Sequence, residues 1–226
     1  MSEDREVKIA CKGISKTFHV PGQKKLLHVL NSVSLEVYKN EFLVILGPGQ
    51  SGKTVLLNCI AGLIEPTQGS ILINNKPITG PGPDRGMVFQ RYALFPWKTV
   101  VQNVAFGLTI RGVPLKERME VAQHYIDLVG LNGFEKSYPA ELSGGMKQRV
   151  GIARAYASDP DILLMDEPFT GLDPELTAAL IADIKTIVKE NGITAVVVSH
   201  QQGELEALCS RIVPLSQING AGEYSD

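Results

Sequence analysis

The sequence predicts an α/β fold: a mostly parallel sheet flanked by helices, with an antiparallel β subdomain and an inserted α-helical subdomain. Three observations carry this. "EFLVILG" (41–47), "DILLMD" (161–166) and "ITAVVVSH" (193–200) are continuous apolar runs of strand length, as strands covered on both faces require. Helical segments separate them, and strand, helix, strand in that order closes through parallel crossovers. The first 37 residues read differently, as short strands rich in β-branched residues.

In chain order, "VKIACKGISKTFHV" and "LLHVLNSVSLEV", separated by a turn at Pro21-Gly22, form the antiparallel patch from Val7 to Val37. "EFLVILG" follows as a buried strand. "KTVLLNCIAGL" carries apolar residues at helical spacing and ends near Gly62, as a helix packing back on that strand would. Leu115, Met119, Ala122, Ile126 and Val129 step by four, three, four and three, one apolar stripe on a helix that Pro114 starts and Gly130 stops. The mostly helical insert therefore runs from about Arg91 to Ala157. "DILLMD", a helix from about Pro174 to Glu190, and "ITAVVVSH" complete the sheet pattern. Pro214 in "RIVPLS" predicts that the last strand is short or lies at an edge. The sequence shows no internal repeat and no low-complexity segment.

At 226 residues the chain can bury a substantial core, and one large α/β domain over 1–226 is the simplest organisation. Its α/β core spans about 1–90 and 158–226, and its helical subdomain about 91–157. Lys and Arg total 22 against 24 Asp and Glu, so the net charge of −2 supplies no basic field that would draw the chain to nucleic acid or anionic lipid. Cys11, Cys59 and Cys209 lie far apart without C-x-x-C spacing, which argues against a disulfide framework or a structural zinc site and fits a reducing compartment. No apolar run approaches the ~20 residues of a membrane span, and the charged "MSEDREVKIA" holds no secretory segment. A membrane role must come through a partner.

"GPGQSGKT", Gly47 to Thr54, fits the phosphate-loop pattern G-x-x-x-x-G-K-[ST] between a buried strand and a helix start. Such a helix start leaves backbone N–H groups without partners and adds the positive end of the helix dipole, and anionic phosphate satisfies both. Gly47 and Gly52 permit the tight path, and Pro48, Gly49, Gln50 and Ser51 line it. Lys53 reaches the β- and γ-phosphates, and Thr54 offers its hydroxyl to Mg²⁺. By composition alone such a match arises in on the order of one chain in a hundred of this length. The strand before and the helix after make chance rarer still. Gln50 stands where many such loops place one more glycine. If its φ is positive it is strained by roughly 1–2 kcal/mol, and Gly49 beside it can absorb part of that geometry.

"ILLMDEP", Ile162 to Pro168, places Asp166 at a strand's carboxyl end, where it can hold Mg²⁺ through water, with Glu167 beside it as a base for the attacking water. Alone it would equally be a strand end with solvated acids. In "LSGGMKQR", Leu142 to Arg149, Ser143 and the N–H groups of Gly144 and Gly145 open a helix and make a second anion site. A capped helix with a flexible start is the plain alternative.

The pairing of "LSGGMKQR" with the phosphate loop resembles the ATP-binding cassette (ABC) ATPases, and the likeness extends over nearly the whole chain. It implies the phosphate-loop NTPase fold of those ATPases, ATP as substrate and Mg²⁺ as cofactor. Gln90 in "MVFQRYALFPW" matches the glutamine that links nucleotide and metal to the helical insert and to a membrane partner. "TGLD" matches the loop whose aspartate, Asp173, faces the opposite monomer. His200 in "VVVSH" matches the switch histidine at the γ-phosphate. Phe18 aligns with the aromatic that stacks on adenine, though a core strand Phe is nearly as good a reading. Besides Gln50, the chain departs from the pattern at Gln201, where many relatives have Asp, and at Gly171, a common Ala. None of these removes a charged catalytic group.

In this family the Ser143–Gly145 helix start completes the site of a second copy. The expected assembly is therefore a head-to-tail homodimer with ATP sandwiched between subunits, docked on integral membrane permease subunits at the cytoplasmic face of the membrane. The run "LFPWKTVVQNVAFGLTIRGV" is similar to the ATPases of nitrate, taurine and aliphatic sulfonate importers. That implies import of a small anion or related solute delivered by a periplasmic or lipid-anchored solute-binding protein. With 26 residues after His200, no appended regulatory domain is expected. Two other readings compete: a non-transport cassette ATPase acting on nucleic acid or ribosomes, and a nucleotide-binding regulator that no longer hydrolyses. The absence of a basic tail or coiled-coil insertion opposes the first, leaving nucleic acid no expected partner. Glu167 with His200 opposes the second.

Overall fold

The computed structural model describes residues 5–20, 22, 25–170, 174–190, 192–200 and 209–220. In chain order the elements are β1 (Val7–His19), β2 (Leu26–Tyr38), β3 (Phe42–Leu46), α1 (Lys53–Ala61), β4 (Gln68–Ile73), β5 (Lys76–Pro77), β6 (Arg85–Val88), α2 (Val100–Val104) and α3 (Phe106–Ile110). Then come α4 (Leu115–Leu128), α5 (Gly144–Ala157), β7 (Ile162–Asp166), α6 (Pro174–Glu190), β8 (Thr194–Ser199), β9 (Arg211–Pro214) and α7 (Leu215–Ile218), with one 3-10 turn at Pro139–Glu141. They fall in two compact units, residues 1–82 with 191–226, and residues 83–190.

The first unit carries the antiparallel sheet, in strand order β2-β1-β4-β5. In β2, Val33, Leu35 and Val37 are buried while Ser34 and Glu36 are exposed, the alternation of a sheet with one wet face. Each of the first two strands runs for 13 residues rather than as short pieces. Register shifts along the β1–β2 pair, at Cys11/Ile14 and Lys16/Thr17 among others, let such long strands twist without losing their pairing. β4 pairs with the other edge of β1, Cys11 opposite Ile71, a pairing across so much intervening chain that no local pattern announces it.

In the same unit β3 runs parallel to β8 on one side and β9 on the other. β8 is buried at every position and β3 at all but Leu46, as the continuous apolar runs require. β9, ending at Pro214, is four residues long at the sheet edge. Helix α1 packs on β8 and buries Leu56, Leu57 and Ile60 completely, each contributing roughly 1.5–3 kcal/mol. It ends at Gly62, whose φ of 76° suits glycine. A Cβ there would lie only 2.2 Å from the Gly80 carbonyl oxygen, so no other residue fits.

In the second unit β6 and β7 pair in parallel, and β7 is buried along its whole length. Helices α2, α4 and α5 pack on one another. The α4 stripe buries Ala122, Ile126 and Val129, but Leu115 is 63% exposed. The pattern placed Leu115 in the stripe correctly by angle. Being the first residue of the helix, it lies in the turn farthest from the packed centre. Helix α4 starts after Pro114 and the chain turns at Gly130 with φ 65°. Asn103 is fully buried. Its side chain accepts from the Phe95 N–H and donates to the carbonyls of Phe95, Lys98 and Thr99, fixing the turn that precedes α2.

Burial pushes the Cys11 thiol up to about 12, with nearby Cys59 adding to the shift, and pushes Cys59 up to about 11. Cys209 is partly exposed. At pH 8 the folded protein is expected to react with a thiol reagent at Cys209 alone, with Cys11 and Cys59 joining only in denaturant. Mass spectrometry of the labelled protein checks this, and labelling of Cys11 in the folded chain would contradict the core described here.

Candidate nucleotide site

In the first unit the loop 47–52 joins the carboxyl end of β3 to α1. Gly47 donates its N–H to the Ser199 carbonyl at 3.3 Å, so the loop begins against the end of β8. His200, exposed, is the next residue after that carbonyl. The parallel register, Leu46 opposite Ser199, is what brings His200 and Gly47 to the same level although 153 positions separate them in the chain.

Gly52 caps α1 with φ 99° and no side-chain cap. A Cβ there would stand 3.0 Å from the Val29 carbonyl oxygen and 3.1 Å from two side-chain carbons, so the turn needs glycine twice over, for conformation and for room. Lys53, 5% exposed, folds its ammonium inward and donates to the carbonyls of Gly47 and Pro48, each at 2.8 Å. The loop is thus curled around its own cation. No acidic residue stands in the first turn of α1 to repel an anion. Pro48, Gly49, Gln50 and Thr54 are exposed at the surface of the loop. The Ser51 hydroxyl oxygen is buried and has no hydrogen-bond partner among the described residues. A buried orphan of this kind costs about 1–3 kcal/mol, and a phosphate oxygen in the loop would relieve it. The residues fit a phosphate group.

Gln50 has φ 62°, so the strain anticipated for a side chain at that position is present. Gly49, by contrast, is absent from the positive-φ residues. It does not absorb the turn as expected, because the reversal of the chain falls one residue later. Phe18, on β1 opposite Leu27, is partly exposed, which removes the reading of a core phenylalanine. The Lys16 ammonium lies 5.1 Å from its ring centroid.

In the second unit Asp166 ends β7 at 4% exposure and Glu167 follows at 9%. Glu167 has φ 48°, costing roughly 1–2 kcal/mol, directly before Pro168, which restricts it further. Its carboxylate accepts from the Thr170 hydroxyl at 3.3 Å. Such strain concentrates at functional positions. Gln90 is exposed just beyond β6. Ser143 caps α5, its hydroxyl accepting from the Met146 N–H at 3.3 Å, and Gly144 and Gly145 form the first turn, again without an acid. Ser143 and Gly144 are exposed. Asp173, Gly171 and Gln201 lie outside the described residues.

Thr54 in the first unit, and Gln90 and Asp166 in the second, each carry an oxygen atom of the hard kind Mg²⁺ prefers. No group of three His, Cys, Asp or Glu able to hold a metal occurs among the described residues.

Sequence reasoning missed the ties that hold the segment after Gln90. Arg154 of α5 donates to the carbonyls of Ala93 and Tyr92, at 2.7 and 3.2 Å, where the backbone is left-handed at both residues. The Tyr92 hydroxyl lies 3.0 Å from the Cβ position of Gly144, so one arginine fixes both the glutamine's loop and the packing at the α5 start. The signal was a lone cation in the apolar stretch "VGIARAYA". Asn103 likewise sat on the apolar face of "VVQNV".

A glycine-bounded loop curled around a lysine at a strand-to-helix junction defines a phosphate-loop nucleotide-binding protein. A family model described as ABC transporter matches residues 30–170. An uncharacterised ABC transporter ATP-binding protein of Methanocaldococcus jannaschii is 46% identical, over 93% of this chain and 78% of its own. The nitrate import ATP-binding protein of a Synechocystis strain is 44% identical over 88% and 75%, and the taurine import ATP-binding protein of Roseobacter denitrificans 39% over 92% and 77%. A solved dimeric ATP-binding cassette, in a post-hydrolysis state with ADP and phosphate, superposes with a TM-score of 0.85 at 32% identity, covering 91% of this chain and 93% of that one. The chain belongs to the ABC transporter family, as one of its ATPase subunits.

Replacing Gln50 by Gly removes a left-handed penalty of ~1–2 kcal/mol and adds unfolded-state entropy worth ~0.5–1 kcal/mol. The Gln50→Gly protein is expected to melt about 1–4 °C higher, with ATPase activity equal or greater. A large loss of activity would give the amide a role at the phosphates.

Proposed function

We propose that this chain hydrolyses MgATP to energise uptake of a small solute, of the nitrate, taurine or sulfonate kind, through a separate permease. The observation that carries this reading is the curl of the phosphate loop around Lys53. On binding, phosphate oxygens would take the loop N–H groups and the Lys53 ammonium. The Ser51 hydroxyl would donate to the same phosphates, and Phe18 would lie against adenine. Thr54, Gln90 and Asp166 would hold Mg²⁺, which when bound neutralises charge between the β- and γ-phosphates. Glu167 takes a proton from water, whose oxygen attacks the γ-phosphorus as its bond to the β-phosphate oxygen breaks, and His200 donates to the γ-phosphate. Holding the reactants in line and neutralising charge supply most of the catalysis in such transfers.

The remaining part of the site would come from a second copy. The helix start at Ser143, Gly144 and Gly145, exposed at its first two residues, would offer its N–H donors to the neighbouring copy, and Asp173 would face the same junction. Two ATP molecules would then join two head-to-tail cassettes, and loss of the γ-phosphate would release them. Core and helical subdomain, about 1–90 with 158–226 and about 91–157, would act as one catalytic domain. No described helix is long and apolar enough to cross a membrane, which supports separate permease subunits and a place at the cytoplasmic face. Trp97, 70% exposed beside Phe95, suits the docking side. A periplasmic or lipid-anchored binding protein would select the solute.

The test is Glu167→Gln, expected to lower turnover at least a hundredfold, within the range of a general base, and to accumulate an ATP-bound dimer seen by size-exclusion chromatography. A variant that keeps normal turnover would remove Glu167 from the role of base.

A further inference from the structure

The phosphate loop of the first unit is backed by α7 at one end and by β2 at the other, through contacts that the reaction itself does not use. Leu215, 1% exposed, places its Cβ 3.6 Å from the Cβ position of Gly47. At the other end of the loop, a Cβ on Gly52 would lie 3.0–3.1 Å from the carbonyl oxygen and side chain of Val29 and the side chain of Leu30, closer than they could accept without shifting.

That wall lies in an irregular part of its strand. In the β1–β2 register Leu30 faces Lys16 and His28 faces Thr17, so Val29 is the surplus residue of a bulge, and Asn31 and Ser32 fall in a second gap before Val33. Bulged residues lose their ladder partners, which leaves their backbone groups open to other partners. Asn219, the residue after α7, supplies them. Its Oδ1 accepts from the Asn31 N–H at 2.7 Å and its Nδ2 donates to the Val29 carbonyl at 3.3 Å. The next N–H, of Gly220, donates to the Asn31 carbonyl at 2.9 Å.

We infer that Asn219 is a positioning residue for the phosphate loop, holding the bulge at Val29–Asn31 as the wall on which Gly52 turns, while Leu215 braces Gly47. The inference rests on the ATP reading above for its consequence in activity. A primary amide is the group required, because the site needs one acceptor and one donor on a short stem. Loosening the wall leaves every phosphate ligand in the chain but lets the loop N–H groups wander. Ground-state and transition-state binding then weaken together, and KM rises while kcat holds.

The experiment compares Asn219→Ala and Asn219→Asp in the full chain. Aspartate keeps the acceptor for the Asn31 N–H and cannot donate to the Val29 carbonyl. Thr194→Val serves as control, since it removes the Asn40 N–H bond to a fully buried Thr194 hydroxyl at the far end of β8. Without nucleotide, hydrogen exchange of amides 49–56 is expected to quicken about tenfold in both Asn219 variants. KM for ATP is expected to rise about 5- to 30-fold, as for the loss of one or two hydrogen bonds, with kcat within about twofold. The control should lower the melting temperature and move neither. Unchanged loop exchange in the Asn219 variants, or equal changes in Thr194→Val, would overturn the inference. A wild-type protein that binds no ATP would overturn the functional reading instead, with the exchange result still deciding the role of Asn219.

Discussion

Lys53 donating to the carbonyls of Gly47 and Pro48 at 2.8 Å is the contact on which the first unit turns. A buried ammonium is stable only with acceptors around it, and here the acceptors are the loop's own first carbonyls. Meeting that demand bends the chain until its N–H groups and the start of α1 converge on one small volume. The rest of the unit keeps the bend in place. β3 and β8 fix where the loop begins, α1 fixes where it ends, and Gly52 lies against Val29 and Leu30 so closely that the turn has no alternative path.

Two non-glycine residues hold left-handed backbone at positions the family pattern singles out, Gln50 at φ 62° and Glu167 at φ 48°. Their costs are similar, but their settings differ. Gln50 is exposed on the surface of the loop. Glu167 is 9% exposed, between the buried end of β7 and Pro168, and its carboxylate is held by Thr170. Only the second has an environment that sets the carboxylate's direction.

Most elements could be read from the chain because their cause is local. "EFLVILG" and "ITAVVVSH" are buried on both faces and show it as unbroken apolar runs. α4 begins after Pro114 and stops before Gly130, where the backbone allows little else. The sequence pattern failed where the cause is distant. β4 and β5 carry no strong strand signal and form because the free edge of β1 needs partners. Leu115 belongs to the stripe by angle, yet it stands exposed in the first turn. Arg154 and Asn103 do their work on carbonyls of other segments, Ala93 and Tyr92 in one case and Phe95, Lys98 and Thr99 in the other.

By itself the sequence determined the chemistry: a lysine after a glycine-bounded loop, adjacent acids after an apolar strand, a serine and two glycines opening a helix. Such features depend on residue type and spacing within a few positions, and short-range sterics decide them. The tertiary structure alone decided that Gln50 rather than Gly49 takes the turn, that His200 stands level with Gly47, and that Asn219 satisfies the bulge behind Gly52. Each depends on strand register and on the pairing of backbone groups far apart in the chain, which is settled only when the whole sheet closes.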